Sequence, residues 1–116
     1  MTFTVEVLLK GQEHVVAESL QHDVSTDLWT DDDVRQILHL TLREFERAQN
    51  PDADERPVQL RGFSWIVTPL EHGVAIAIEI ASGAIVAGPF DVDLAWLTQA
   101  ITRVMAEAAQ APSRVH

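Results

Sequence analysis

The residues best suited to chemistry in this chain are its histidines and one isolated glutamate. Histidine exchanges protons near neutral pH and binds metals such as zinc. No two of the five histidines have the close spacing that zinc sites show. They are His14, His22, His39, His72 and His116. We therefore predict no metal site and no cofactor.

Glu79 is the one carboxylate in the apolar run at residues 74–81. A carboxylate in apolar surroundings could act as an acid or base, if a pocket between sheet and helices, or across a dimer seam, held it beside His72 or His39. The serines and glycines match no nucleophile elbow, phosphate loop or dinucleotide motif, and the absence of cysteine excludes thiol catalysis. These observations favour a non-enzymatic protein. The alternative is a small-molecule binder or enzyme that uses Glu79 with His72 or His39.

The composition is that of one acidic globular domain. A chain of 116 residues, 47% hydrophobic and 22% charged, fits a single domain, which we place at residues 1–111 with a flexible tail at 112–116. The net charge of −10 repels phosphate backbones, so it argues against nucleic acid and favours a basic protein partner. No run has the length of a membrane span and no leader is evident, so we expect a cytoplasmic protein without a membrane partner.

Alternating apolar and polar residues predict five strands. Residues 2–10 alternate cleanly, and residues 14–20 form a weaker partner after a turn. Segments 63–70, 74–81 and 84–90 are rich in β-branched residues and are separated by two turns, so they predict an antiparallel meander. These turns are Glu71-His72-Gly73 and Ser82-Gly83. The first strand of the meander is expected to begin already within residues 58–61.

Two helices are predicted from apolar residues at helical spacing. The first follows Thr30, where Asp33 can complete a capping box, and continues to about residue 48, before a charged, proline-bracketed loop at 50–57. The second has Asp91 or Asp93 as its cap, and Asp93 allows the better hydrophobic staple, from Val92 to Leu97. Its predicted buried stripe is Leu94, Leu97, Ile101, Val104, Met105 and Ala108. The order β-β-α-β-β-β-α predicts a single α+β domain with an antiparallel sheet of about five strands and two helices.

Both faces of the predicted meander are apolar, which is unusual for a sheet that meets water on one side. A contiguous apolar patch marks an interface, so we predict a protein-interaction module that homodimerises. The residues expected to form this contact are Ile66, Ala75, Ala77, Glu79, Ala81 and Val86. A second candidate contact surface consists of Leu40 and Trp96, which lie off the apolar stripes of their helices.

Overall fold

The computed structural model describes residues 1–51 and 59–110, with the backbone alone at Gln110. The elements are β1 (Thr2–Leu9), β2 (Val16–Gln21), a 3-10 turn (Thr26–Leu28), α1 (Asp31–Gln49), β3 (Ser64–Leu70), β4 (Gly73–Ile80), β5 (Gly83–Phe90) and α2 (Leu94–Gln110). The predicted α+β class, element order and five-stranded antiparallel sheet are confirmed. The predicted tail at 112–116 and most of the predicted loop at 50–57 lie outside the described residues.

The sheet has the strand order β2-β1-β5-β4-β3, and every neighbouring pair is antiparallel. The predicted meander of β3, β4 and β5 is present, and the N-terminal hairpin joins it because β1 pairs with β5. Five strands give four antiparallel steps, so the two edge strands β2 and β3 run in the same direction. The connection between them contains α1, which must therefore cross one face of the sheet.

The core lies between the sheet and the two helices. α1 contacts β1, β2 and β5, while α2 contacts β3 and α1. The strand residues that face the helices alternate with period two, and the helix residues repeat every three to four positions, as predicted. The fully buried members of this layer include Phe3, Val5, Val7, Val34, Ile37, Leu38, Ile76, Ile85, Phe90, Leu97, Ile101 and Val104.

The two helices run parallel to each other. Arg103 of α2 donates two hydrogen bonds of 2.8 Å to the carboxylate of Asp31, at the start of α1. One turn further along, Arg35 of α1 donates to Glu107 of α2 at 2.9 Å. Residue numbers thus rise together on both helices, so their N-termini lie at the same end of the sheet. These ion pairs offset the mutual repulsion of two aligned helix dipoles.

Both helix starts are capped as predicted. Asp33 accepts a hydrogen bond of 2.8 Å from the backbone N–H of Thr30, and Asp93 accepts one of 2.9 Å from the N–H of Trp96. The prediction that Leu94 is buried is wrong, and Ala100 is buried on α2 instead. A helical side chain leans towards the N-terminus, so Leu94, as the first residue of α2, covers the surface before the helix rather than the sheet.

Three boundaries in the predicted meander are displaced. β3 begins at Ser64 rather than within residues 58–61, because Gly62 adopts a φ of +82° that interrupts the extended chain. The two-residue turns are Glu71-His72 and Ala81-Ser82, since Leu70 pairs with Gly73 and Ile80 pairs with Gly83. Ala81 is therefore a turn residue and not part of a strand face.

Position 73 requires glycine for two reasons, the positive φ of its backbone and the close approach of the neighbouring strand β5. Its φ is +105°, and a Cβ at this position would lie 2.5 Å from the carbonyl oxygen of Phe90 on β5. Gly11 also has a positive φ, +86°, but a Cβ there would meet nothing within 4 Å. The comparison separates backbone strain from steric overlap with an adjacent strand.

We expect Gly73→Ala to lower the free energy of unfolding by about 3 kcal/mol or more, whereas Gly11→Ala should cost only about 1 kcal/mol. Both variants pay for alanine in the left-handed region, and only the first must displace Phe90. Urea unfolding followed by circular dichroism measures the difference. Equal losses in the two variants would show that the contact with Phe90 is relieved without cost.

Candidate functional site on the open sheet face

One face of the sheet carries neither helix, and we call it the open face. Cross-strand partners share a face, so its residues follow from the register of the four strand pairs. They are Thr2, Thr4, Glu6, Leu8, Ala17, Ser19, Gln21, Ser64, Ile66, Thr68, Leu70, Gly73, Ala75, Ala77, Glu79, Ala84, Val86 and Gly88. The set contains all the contact residues predicted for the meander except Ala81, and β1 and β2 extend it.

The middle of the open face is a shallow trough. Small residues of β4 and β5 form its floor, and Ile66 on the edge strand β3 forms one wall. The concavity has a volume of about 340 Å³. Side chains lining it include Ser64, Ile66, Ala77, Glu79, Ala84 and Val86. Small floor residues would let another layer approach the sheet closely.

Large apolar side chains flank this floor and remain in contact with solvent. Ile66 is 62% exposed and Val86 is 41% exposed, and Leu8 and Leu70 are exposed as well. Ile66, Ala77 and Val86 stand in one cross-strand row that continues through Glu6 on β1 to Ala17 on β2. Exposed apolar side chains are common when scattered, but here they are neighbours on one surface.

Two predicted contact residues contribute little to this surface. Ala75 is only 1% exposed, because β4 and β5 shift register beside it and the backbone of Gly88 lies against it. Ala81 is exposed, but it lies in the turn that connects β4 to β5. The remaining members, Ile66, Ala77, Glu79 and Val86, come together on neighbouring strands.

Leu40 and Trp96, the second predicted surface, are not neighbours. Trp96 lines a depression of about 340 Å³ with Trp29, next to the start of α1. Leu40 lies nine residues into α1, about 13 Å along the helix axis from Asp31. Both side chains are partly buried against the core. They therefore do not form one continuous contact surface.

The candidate acid–base residues are also separated. Glu79 is exposed on the open face, and His72 lies in the turn before β4, seven residues away or about 23 Å along an extended strand. His39 is on α1, in the layer that covers the opposite face. Burial, together with Arg35 and Arg43, lowers the pKa of His39, so this imidazole is neutral at pH 7. These three groups surround no common cavity.

A buried histidine–aspartate pair connects the chain after β2 to the start of α1. His22 Nε2 donates a hydrogen bond of 2.9 Å to Asp33 Oδ1, and both side chains are buried. Trp29 packs edge-on against the imidazole, with ring centroids 5.9 Å apart. The hydroxyl of Thr30 donates to Asp33 Oδ2 at 2.9 Å. The carboxylate of Asp33 therefore caps α1 and also binds His22, which follows β2.

Sequence reasoning identified Asp33 as a helix-capping residue but missed its partnership with His22. No spacing signal could have revealed this contact, because His22 lies in a polar segment that resembles a loop. The backbone N–H of Thr30 is the main reason that the pKa of Asp33 lies below its ordinary value near 3.8, and hydrogen bonds from His22 and from the Thr30 hydroxyl lower it further. The ionised carboxylate therefore stabilises the fold.

We expect Asp33→Asn to lower the free energy of unfolding at neutral pH by about 1–3 kcal/mol, since it removes a charged acceptor from buried donors. Asp32→Asn is the matched control, because Asp32 is exposed, and its effect should stay within about 0.5 kcal/mol.

The same carboxylate makes stability depend on pH. Because the folded pKa of Asp33 is lowered, its contribution is complete above about 3.8 and is lost as the pH falls below that value. The difference between the parent and Asp33→Asn should therefore shrink when urea unfolding is measured at about pH 3 instead of about pH 6. A constant difference would mean that the ionised form gives no advantage.

Among residues 1–51 and 59–110, no group of three or more histidine, aspartate or glutamate side chains is placed to hold a metal ion. No helix within these described ranges combines the length and apolar character needed to cross a membrane. Comparison of the chain with protein-family models, with curated proteins and with solved structures gave no match.

Proposed function

We propose that this protein is a non-enzymatic interaction module that homodimerises through the open face. The observation that carries the proposal is the row of exposed Ile66, half-covered Ala77 and exposed Val86 on the sheet face that neither described helix covers. Transferring such apolar area out of water stabilises a complex by roughly 25 cal/mol per Å² before the costs of association are subtracted.

A second copy of the chain suits this surface because each copy carries both the projecting side chain of Ile66 and the trough beside it. In a two-fold dimer each patch meets its own counterpart, so Ile66 of each copy can enter the small-residue floor at Ala77 and Ala84 of the other. Stacked sheets normally pack about 10 Å apart, and a floor of alanine and glycine permits that distance or less.

The size of the open face sets the expected strength. Five strands spaced about 4.8 Å apart, most of them seven or eight residues long, cover roughly 20 Å by 25 Å. This is a modest area beside the roughly 800 Å² of accessible surface that each partner buries in a standard interface. We therefore expect a dissociation constant in about the micromolar range, not the nanomolar range.

The alternative of a small-molecule binder or enzyme rests on Glu79 with His72 or His39. The distances between these groups do not favour it, and the concavity beside Glu79 lies on the open face, away from the space between sheet and helices. Interaction through the open face is the proposal that the arrangement of side chains supports best.

Ile66→Glu should abolish dimerisation, because it places a charge where the two copies would meet. Leu28→Glu is the control: Leu28 is an apolar residue 68% exposed in the turn before α1, away from the open face, and its replacement should change nothing. Sedimentation equilibrium at about 100 μM, well above the expected dissociation constant, measures both. A monomeric parent protein at that concentration would refute the proposed function.

Glu79→Gln should strengthen the dimer about tenfold, because burying a carboxylate in a contact costs more than burying an amide. Glu13→Gln provides a control for the change in net charge, since Glu13 is exposed in the turn after β1. If the two variants behave alike, Glu79 lies outside the contact.

A further inference from the structure

The outer strand β2 presents an open edge. In the described part of the chain β2 is the last strand on its side of the sheet, and all its residues are exposed except Leu20, which is half-buried. The opposite edge differs, since α2 contacts β3 and Pro69 interrupts its hydrogen-bonding groups. An uncovered edge strand is a template for pairing with another extended chain.

The register shows which backbone groups of β2 are available. Met1 and His22 exchange both backbone hydrogen bonds, at 2.7 Å and 3.0 Å. Hydrogen-bonded pairs recur at every second residue of an antiparallel ladder, so residues 20, 18 and 16 also bond to β1. The N–H and C=O groups of Ala17, Ser19 and Gln21 therefore point outward, away from β1.

The side of α1 that lies towards β2 carries one partly buried apolar side chain, Leu40. Asp33 is on that side, because it bonds His22 directly after β2. Leu40 is seven residues further along α1, or about two turns, and so lies on the same side. On β2, the side chains that face the helix layer are Val16, Glu18 and Leu20. An added strand would place alternate side chains beside this apolar and acidic set.

Glu18 disfavours a second copy as the occupant in one antiparallel register. When two β2 strands pair antiparallel so that Val16 meets Leu20, Glu18 of one copy stands directly opposite Glu18 of the other. Like charges at opposite positions destabilise a strand pair, whereas opposite charges stabilise it. A net charge of −10 adds to the preference for a cationic partner.

We propose that the edge of β2 binds an extended segment of another polypeptide, with an arginine or lysine opposite Glu18 and apolar residues on either side of it at alternate positions. The segment adds a sixth strand, hydrogen-bonds to Ala17, Ser19 and Gln21, and packs its apolar side chains near Val16, Leu20 and Leu40. Backbone bonding supplies affinity, and the alternate side chains supply selectivity.

The test uses a fluorescein-labelled heptapeptide, Thr-Val-Thr-Arg-Thr-Val-Thr, and the same peptide with glutamate in place of arginine. Fluorescence anisotropy with the full chain should show the arginine peptide binding about fivefold tighter or more than the glutamate peptide. Glu18→Arg should reverse that order. Equal binding of the two peptides, or no binding of the arginine peptide at millimolar protein, would overturn the proposal.

Ser19→Pro tests the backbone contact directly. It removes an N–H that points away from β1 and breaks no hydrogen bond between β1 and β2. The circular dichroism spectrum and the melting temperature should therefore stay close to those of Ser19→Ala. Peptide binding should be lost in Ser19→Pro and retained in Ser19→Ala. Binding that survives the proline would place the peptide elsewhere.

This proposal stands apart from the open-face dimer. Ile66→Glu should abolish self-association without affecting the arginine peptide, and Ser19→Pro should do the reverse. Self-association that is lost in Ser19→Pro but kept in Ile66→Glu would identify a second copy as the occupant of the edge and would overturn the inference.

Discussion

The connection between the two edge strands is the constraint on which the rest of the fold depends. β2 and β3 run in the same direction at opposite edges of the sheet, and α1 lies in the chain between them. An α-helix in such a connection must lie across one face. α2 follows β5 and packs beside α1 on that same face, so within residues 1–51 and 59–110 both helices lie on one side of the sheet and no helix lies on the other.

The end of the sheet where both helices begin is held together by polar contacts with specific partners. Asp33 caps α1 and binds His22, Asp93 caps α2, and Asp31 pairs with Arg103. Each acidic group lies where the dipole of a parallel helix favours negative charge. The exposed ion pairs contribute little because solvent screens them, whereas the buried pair of His22 and Asp33 connects α1 to the end of β2.

The two proposed surfaces are geometrically independent. A second copy would stack along the normal of the sheet, on the face opposite the helices. An added strand would lie in the plane of the sheet, beyond β2. Neither contact uses the backbone or side chains of the other, apart from the side chains of Ala17, Ser19 and Gln21 at the margin of the open face. A dimer formed through the open face would therefore keep two free β2 edges.

The sequence by itself determined the elements, because their signals are local. Period-two alternation identified the strands, and the helical stripes together with Thr30, Asp33 and Asp93 located both helices to within about two residues. The two-sided apolar pattern of the meander also indicated the open face, since alternation fixes which residues share a side. The predicted turns wrongly included Gly73 and Gly83. Both are strand residues, and glycine is needed there because a neighbouring strand lies too close for a Cβ.

Only the tertiary structure decided how these elements meet. The placement of β1 between β2 and β5, the pairing of His22 with Asp33, the burial of Ala75 and the separation of Leu40 from Trp96 all depend on contacts between residues distant in sequence. Local propensity carries no information about such contacts, because they arise from burial of the whole apolar layer at once. The same reason explains why the open edge of β2 could be recognised only after the strand order was known.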